Sequence, residues 1–276
     1  MAVEATTEKP KRIKRFGWSA RIQHIILLVT FVGLASTGLP QKYPQAAWAD
    51  TMIGLLGGIE TVRIIHRVLA TCLMALAIYH GGELTYKLFV LREPPYMLPS
   101  FADFKDLIQT MAYNLGLRKE HARMPRFGFG EKLEYWAVIW GIGVMILTGF
   151  MLWNPIATTH YLPGEAIPAA LTAHGSEALL AVLAIVTWHM YNVLTHANFS
   201  IFTGWIREKL EKEEHALEYE RIEAGDLPQL PAKDVFRKRM RVFVPVAIVI
   251  TIVLLAGLVW FVTFEQTAIT TIPPAF

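Results

Sequence analysis

The sequence predicts an all-α membrane protein, in which four transmembrane helices form a bundle and a fifth helix stands beside it. Of the 276 residues, 54% are hydrophobic and 18% are charged, whereas soluble domains average about 25% charged residues. Five apolar stretches are each long enough to cross a bilayer, which takes about 20 residues. Basic residues are concentrated in the segments on one side of these stretches. Together these observations exclude an ordinary soluble enzyme.

The apolar stretches divide the chain into five segments. The candidate spans run approximately over Ile22–Leu39, Ile64–Phe89, Leu133–Trp153, Leu171–Leu194 and Val242–Phe264. We therefore expect a basic N-terminal segment (1–20), a four-helix bundle (21–198), a charged linker (199–241), a fifth span (242–264) and a tail (265–276). Within the linker, Arg207–Arg221 mixes acidic and basic residues as a solvated amphipathic helix does. We expect that stretch to be exposed.

The distribution of Lys and Arg predicts the orientation. Three regions hold 23 of the 26 basic residues: the segment before the first span, the segment between the second and third spans together with Lys87 near the end of the second, and the segment between the fourth and fifth spans. Only Lys42, Arg63 and Arg67 fall on the other side. The positive-inside rule then places the N-terminus in the cytoplasm and the C-terminus outside. The first span has no clear small-x-small cleavage site, and its apolar run continues to a Gly-Leu-Pro stop at Gly38–Pro40, so we expect it to be a retained span rather than a signal peptide.

The cysteine content excludes several kinds of site. Cys72 is the only cysteine and lies inside an apolar run. It cannot form an internal disulfide, a thiolate zinc cluster or the C-x-x-C-H attachment of a c-type haem. We expect membrane lipids as neighbours and no nucleic-acid partner.

Histidines inside the spans are the main functional signal, because ionisable residues in membrane helices are rare and usually functional. Five of the nine lie in or at the edge of a span: His24, His66, His80, His174 and His189. His66 and His80 are 14 residues apart, about 21 Å along a helix, and His174 and His189 are 15 apart, about 22 Å. Each pair lies on one helix face, to within about 40° and about 60° respectively.

These spacings place the histidines in two layers. The second and fourth spans run in the same direction, so His66 and His174 share an outer level, and His80 and His189 share an inner level with His24. Two imidazole layers roughly 20 Å apart suit two stacked b-type haems (heme b), held by axial imidazoles inside a helical bundle. A metal transporter would instead gather its ligands at one depth near the midplane.

The inner layer leaves alternatives open. Three histidines compete there for two axial positions, so either His24 or His80 pairs with His189. His196, near the inner end of the fourth span, is either an interfacial residue or the ligand of a third haem. Arg63 and Arg67 flank His66 where positive charge is otherwise scarce, which suits haem propionates.

At these residues the sequence resembles a known family. The first span, with R-I-Q-H at 21–24 and T-G-L at 37–39, resembles the first helix of the formate dehydrogenase gamma subunit and related membrane cytochromes b. R-I-I-H at 63–66 resembles the ligand motif of that family's second helix. A-H-G-S-E-A to T-W-H, at 173–189, resembles its fourth helix, which carries two histidines. The resemblance implies that His66 pairs with His174, and His24 with His189.

The sequence departs from that family at His80, which is an additional histidine. Two histidines in each of the second and fourth spans resemble the cytochrome b of bc-type complexes, in which His80 would pair with His189. The loops G-G-I-E and P-G-E-A-I-P-A-A, with E-Y-W-A-V-I-W-G, resemble small bacterial cytochromes b that associate with multihaem c-type cytochromes.

The resemblance implies a subunit of a respiratory-type complex in a bacterial-type inner membrane. It would pass electrons between the quinone pool and an extracytoplasmic redox subunit, either a multihaem c-type cytochrome or an iron–sulfur protein. Two alternatives remain: the same haem bundle serving a cytoplasmic partner, and a haem-free transporter or scaffold.

Overall fold

The computed structural model describes residues 12–226 and 228–265. The first eleven residues of the predicted basic segment, with Lys9 and Lys11, and residues 266–276 of the predicted tail lie outside these ranges. The described elements, in chain order, are β1 (Arg12–Lys14), α1 (Trp18–Lys42), α2 (Ala47–Leu55), α3 (Ile59–Tyr86), α4 (Phe101–Asn114), α5 (Phe129–Trp153), α6 (Pro155–Tyr161), α7 (Ala166–Ala184), α8 (Met190–Thr195), α9 (Ser200–Thr203), β2 (Trp205–Arg207), α10 (Glu208–Glu214), α11 (Ala216–Glu223) and α12 (Lys233–Thr263). A π turn over Lys87–Leu91 extends α3, and a second over Ile185–His189 joins α7 to α8.

Among the described residues, five helices are long and apolar enough to cross a membrane, which confirms the predicted fold class. They are Trp18–Lys42, Ile59–Leu91, Phe129–Trp153, Ala166–Thr195 and Lys233–Thr263. Four of the predicted spans fall inside these helices, and the fifth runs one residue past Thr263. The helices are longer than the apolar runs because a helix satisfies its own backbone and can continue into polar surroundings. Their outward surfaces are rich in exposed Leu, Ile and Val side chains, as lipid-facing helices are.

The chain forms two compact units. Among the described residues, the first combines those up to Ile22 with Pro94–Trp136 and His189–Gln229, and the second combines Gln23–Glu93, Ala137–Trp188 and those from Leu230 onward. We call the first the charged unit, because it buries a cluster of charged side chains. We call the second the span unit, because it contains most residues of the membrane-spanning helices.

In the span unit, α12 packs along α3. Near one end of the contact Arg239 donates a hydrogen bond to the carbonyl oxygen of Val90, at 2.8 Å, and the rings of Tyr86 and Phe243 lie 5.8 Å apart. At the other end Arg67 forms an ion pair with Glu265 at 3.1 Å. The contact therefore ties the fifth span to the second over most of its length.

The charged unit buries an ionic cluster, which we call the Arg15 cluster. It consists of Arg15, Arg126, Glu131, Glu211, His215 and Glu218. Arg15 Nη1 lies 2.5 Å from Glu211 Oε2, and both side chains are almost fully buried. Strand β1 leads into the cluster and pairs antiparallel with β2, with Ile13 opposite Ile206. The cluster thereby joins the start of the described chain to the segment that follows the fourth span.

This cluster corrects the expectation that Arg207–Arg221 is exposed. Leu210, Glu211, His215, Glu218 and Tyr219 of that stretch are buried. The stretch forms α10 and α11 rather than one continuous solvated helix, because the guanidinium groups of Arg15 and Arg126 supply the charge that its carboxylates need when buried. The sequence showed the acidic residues but not their partners, which are about a hundred or more residues away.

Candidate functional site in the histidines of the membrane-spanning helices

The structure brings His66 and His174 together within the span unit. His66 lies on α3 and His174 on α7, and their ring centres are 6.3 Å apart with the planes inclined at 60°. Two imidazoles that share one metal ion, each through a bond of about 2.0 Å, have ring centres roughly 6 Å apart. The observed separation therefore fits two ligands on opposite sides of a single metal ion.

A threonine fixes the protonation state of His66. Thr37, on α1, donates its hydroxyl proton to the carbonyl oxygen of Gly33 at 2.7 Å. Its oxygen lies 2.8 Å from Nδ1 of His66 and therefore accepts the Nδ1 proton. The lone pair of the neutral ring is then on Nε2, the state in which imidazole binds a metal.

His174 is held in the same way by a threonine of another helix. Thr148, on α5, donates to the carbonyl oxygen of Val144 at 2.6 Å, and its oxygen lies 2.9 Å from Nδ1 of His174. Thr37 and Thr148 are both buried. In this tautomer both histidines have the Nε2 lone pair available, each through the same two-bond chain from ring to hydroxyl to backbone.

A glycine follows each of these threonines and lies against the same ring. A Cβ atom at Gly38 would be 3.1 Å from Cε1 of His66, and one at Gly149 would be 3.4 Å from Cε1 of His174. The Thr-Gly dipeptide therefore supplies both the hydrogen-bond acceptor and the space for the ring. The sequence analysis missed the two threonines, although the repeated Thr-Gly pair in the first and third spans is a signal that could have identified them.

The inner histidines have different hydrogen-bond partners. In the span unit, Nδ1 of His80 lies 2.9 Å from Oε1 of Gln23, whose amide nitrogen in turn donates to Glu83 at 2.5 Å. In the charged unit, Nδ1 of His189 lies 2.8 Å from Glu134 Oε2. Both contacts make Nδ1 the donor and leave the lone pair on Nε2. His24 is half-buried on α1, next to Gln23. Whether His24 or His80 pairs with His189 stays a prediction.

The π turn over Ile185–His189 ends on one of these candidate ligands. Such a turn accommodates one extra residue in an α-helix and is frequent at functional sites. The 15-residue spacing of His174 and His189 is therefore equivalent to 14 residues of regular helix, the spacing of His66 and His80. The offset of about 60° expected for a regular helix falls to about 40°, the same as in the second span.

The two arginines beside His66 already have partners in the structure. Arg63 forms an exposed ion pair with Glu60 at 2.7 Å. Arg67 pairs with Glu265, and its guanidinium carbon lies 4.5 Å from the ring centre of Trp153. Arg63 is one turn from His66 on the same helix face, because residues three apart are neighbours.

His196 is exposed, and its surroundings lie in the charged unit. Its Nδ1 lies 3.0 Å from the carbonyl oxygen of Asn192, and Nε2 lies 3.6 Å from Glu214. Within the described ranges, no group of three or more His, Cys, Asp or Glu side chains could hold a metal ion.

The outer donor set fits haem b. Two neutral imidazoles with Nε2 available are the axial ligands that such a haem takes, and the porphyrin supplies the other iron ligands. The buried threonines and the glycines that make room for the rings supply the support that metal-binding histidines need.

Comparison with known proteins identifies the kind of protein to which this chain is similar. Residues 15–204 match the model of a family described as prokaryotic cytochrome b561. The chain is 23% identical over 215 residues to the cytochrome b556(fdo) subunit of formate dehydrogenase from Escherichia coli (strain K12), a match that covers 76% of this chain and 93% of that one. It is 22% identical over 220 residues to the nitrate-inducible cytochrome b556(Fdn) subunit of the same strain, covering 79% and 95%. The cytochrome b556 subunit of formate dehydrogenase from Haemophilus influenzae is 23% identical over 211 residues, covering 74% and 81%.

The family match covers more than half of the chain and includes all of the candidate ligands. Helix α12 lies beyond the matched residues. The histidine pair, the membrane-spanning helices and the family match lead to one conclusion: this chain belongs to the prokaryotic cytochrome b561 family and is a multi-pass membrane cytochrome b of electron transport.

Proposed function

We propose that this chain is the membrane subunit of a quinone-linked oxidoreductase complex and carries two b haems, each with two histidine ligands. The observation that supports this most strongly is the outer pair, His66 and His174, 6.3 Å apart with both rings held in the metal-binding state. His189 and either His24 or His80 would hold the inner haem. Each haem supplies reversible one-electron chemistry when bound. The protein supplies the ligands and an apolar environment around them.

Arg63 and Arg67 are the proposed partners of the outer propionates. Arg63 is the better candidate of the two, because its present partner Glu60 is an exposed carboxylate that contributes little. Arg67 is held by both Glu265 and Trp153. The quinone pocket would lie beside whichever of His24 and His80 does not bind iron.

The proposed partner is an extracytoplasmic redox subunit, a multihaem c-type cytochrome or an iron–sulfur protein. The three relatives described above are named as subunits of formate dehydrogenases. The count of basic residues favours a cytoplasmic N-terminus and an outward-facing C-terminus in a bacterial-type inner membrane. In that orientation the His66–His174 pair lies towards the outer side, where such a partner would receive or donate electrons.

The test is a reduced-minus-oxidised spectrum of the purified full chain, with a pyridine haemochrome count per polypeptide. We expect two b haems. His66→Ala and His174→Ala should each lose the same haem, while His160→Ala, in the short helix α6, should lose none. His24→Ala and His80→Ala should differ, because only one of them removes the inner haem. A chain that binds no haem would overturn the proposal.

Two further measurements test the rest of the proposal. One of the two variants His24→Ala and His80→Ala should keep the inner haem. In that variant reduction of the haems by quinol should be impaired, which would identify the substituted histidine as the residue beside the quinone pocket. Crosslinking in intact membranes, followed by identification of the captured subunit and its side, distinguishes an extracytoplasmic from a cytoplasmic partner.

A further inference from the structure

Helix α4, Phe101–Asn114, has an apolar stripe on its exposed side. The stripe consists of Phe101, Phe104, Ile108, Met111 and Leu115, the residue that ends the helix. Their spacing of three and four residues places them within about 80° of one another around the helix. All five are more than half exposed, and Phe101 is 99% exposed. In a water-soluble protein, a surface helix turns such a stripe towards the protein core. The apolar stripe of α4 points away from the protein instead.

The polar residues of α4 face the protein instead. Asp103, Asp106, Gln109 and Thr110 are half-buried. Asp103 Oδ1 lies 2.7 Å from Nζ of Lys132, and less than an eighth of either side chain is exposed. The same carboxylate accepts the backbone N–H of Ser100 in a capping box. These contacts fix the rotation of α4 about its own axis, with the stripe directed outward.

The attachment of α4 also fixes its position relative to the membrane. Lys132 lies in the first turn of α5, one of the five membrane-spanning helices. One turn further, the indole nitrogen of Trp136 donates to the carbonyl oxygen of Met97, at 2.8 Å, in the segment that leads into α4. Lys and Trp at the end of a spanning helix mark the headgroup layer. Attachment to these two residues favours a position of α4 at the height of the bilayer surface.

We propose that α4 is an interfacial helix whose stripe inserts into the boundary between lipid headgroups and acyl chains. The occupant is lipid rather than another protein, because Asp103 of α4 is paired with Lys132 at the end of a membrane-spanning helix, and the next apolar residue of that helix, Leu133, is 63% exposed. The helix contains Asp103, Asp106 and Lys105 and so carries no excess of positive charge. Its binding to lipid rests on apolar burial, not on attraction to anionic headgroups.

The test measures where single residues of α4 lie in a bilayer. The full chain with Cys72→Ser and one added cysteine, Ile108→Cys or Met111→Cys, is labelled with a nitroxide. It is reconstituted without any partner subunit into nanodiscs of phosphatidylcholine and phosphatidylglycerol. Lys119→Cys, in the exposed turn after α4, is the matched control. Collision with oxygen, which partitions into lipid, is compared with collision with a water-soluble nickel chelate.

We expect the ratio of oxygen to nickel collisions to be several-fold higher at both stripe positions than at Lys119→Cys. It should stay high in nanodiscs made of phosphatidylcholine alone, because the helix does not depend on anionic lipid. Stripe positions as accessible to nickel as Lys119→Cys would overturn the proposal, because they would place the stripe in water; a protein partner would then be the remaining candidate to cover it. The visible spectrum of each labelled protein reports whether the chain is folded.

Discussion

The outer histidine pair and the Arg15 cluster both bury polar side chains, but they do so with opposite chemistry. Around His66 and His174 each hydrogen-bond chain passes through a neutral threonine hydroxyl and ends on a backbone carbonyl four residues from that threonine. The Arg15 cluster instead buries an ion pair between Arg15 and Glu211, which are 196 residues apart in the chain. The support of His66 and His174 therefore depends on local helix geometry, whereas the cluster depends on charge balance between distant segments.

The largest effect should come from removing the central cation of the cluster. Arg15→Met leaves Glu211 buried without its partner, so we expect the charged unit to lose about 3–5 kcal/mol of stability. Pulse proteolysis that follows cleavage within α10 and α11 measures this loss. Arg123→Met is the control, because its ion pair with Glu220 is exposed. The double variant Arg15→Met with Glu211→Leu should recover most of the stability, and failure of Arg15→Met to differ from Arg123→Met would contradict the charge-balance account.

The second-largest effect should come from the threonines that hydrogen-bond to His66 and His174. Thr37→Val and Thr148→Val remove the acceptor of a ligand's Nδ1 proton without changing side-chain size. If His66 and His174 hold the proposed outer haem, each variant should weaken its binding by about 10–100-fold, as loss of a group that orients a metal ligand typically does. Titration of the haem-depleted chain measures this affinity.

A matched control and a rescue accompany these threonine variants. Thr30, also buried in α1, makes the same hydroxyl-to-carbonyl bond, to Ile26 at 2.8 Å. Thr30→Val should therefore leave haem affinity unchanged, and Thr37→Ser should retain it. If Thr37→Val behaved like Thr30→Val, the hydroxyl would not be orienting His66.

The pH dependence of the two regions should also differ. In the cluster, Nδ1 of His215 donates to the carbonyl oxygen of Pro125 and Nε2 accepts from Arg15. Burial, and then the Arg15 guanidinium, lowers the pKa of His215 to about 3. The unfolded chain therefore takes up a proton as the pH falls through the ordinary histidine value while the folded chain does not, so stability is lost as the pH falls from about 6.5 towards 3.

His215→Gln keeps a neutral polar side chain there and removes the titration. Between about pH 7 and about pH 5.5 the wild-type chain should lose about 1 kcal/mol more than this variant. Pulse proteolysis at the two pH values measures the difference. Parallel behaviour of the two proteins would show that His215 is not held neutral. Burial also raises the pKa of Glu211, so the pH profile of the wild-type chain alone mixes two titrations. The difference between the wild-type chain and His215→Gln gives the contribution of the histidine.

The smallest effects should come from the arginines next to His66. Arg63→Gln removes an exposed charge, so we expect a loss of outer-haem affinity below about 1 kcal/mol, at most a few-fold. Arg67→Gln should have a smaller effect on haem affinity but should loosen the end of α12, because it removes the contacts with Glu265 and Trp153. Haem titration and proteolysis near Glu265 separate the two results. Unchanged haem affinity in both variants would show that neither arginine binds a propionate.

The sequence predicted the outer pair but not its support. His66 and His174 stand out because an ionisable residue in an apolar span is conspicuous, and helix geometry converts their spacing into depth. Thr37 and Thr148 do not stand out, because a threonine in a membrane helix usually bonds to its own backbone, as these two also do. Their second contact, with a ring on another helix, depends on how the helices pack.

The Arg15 cluster was beyond sequence analysis for a related reason. Charge alternation in Arg207–Arg221 is the pattern of a solvated helix, and the buried and exposed versions of such a stretch have the same composition. Glu211 and Glu218 are buried because Arg15 and Arg126 reach them. No periodicity in the sequence around these residues indicates that they lie close together. The same holds for α4, whose amphipathic pattern was present but whose outward direction depends on Lys132.

The pairing of β1 with β2 has a consequence for biosynthesis. Arg12 is opposite Arg207, so the first strand has no partner until nearly two hundred further residues have been made. At a synthesis rate of roughly 5–20 residues per second, the ribosome needs about 10–40 s to supply them. The first four spans are synthesised during that interval. Throughout it Arg15 lacks its ion-pair partner Glu211. Completion of the charged unit is therefore a late event, and it can occur only in a chain whose fourth span has already left the ribosome.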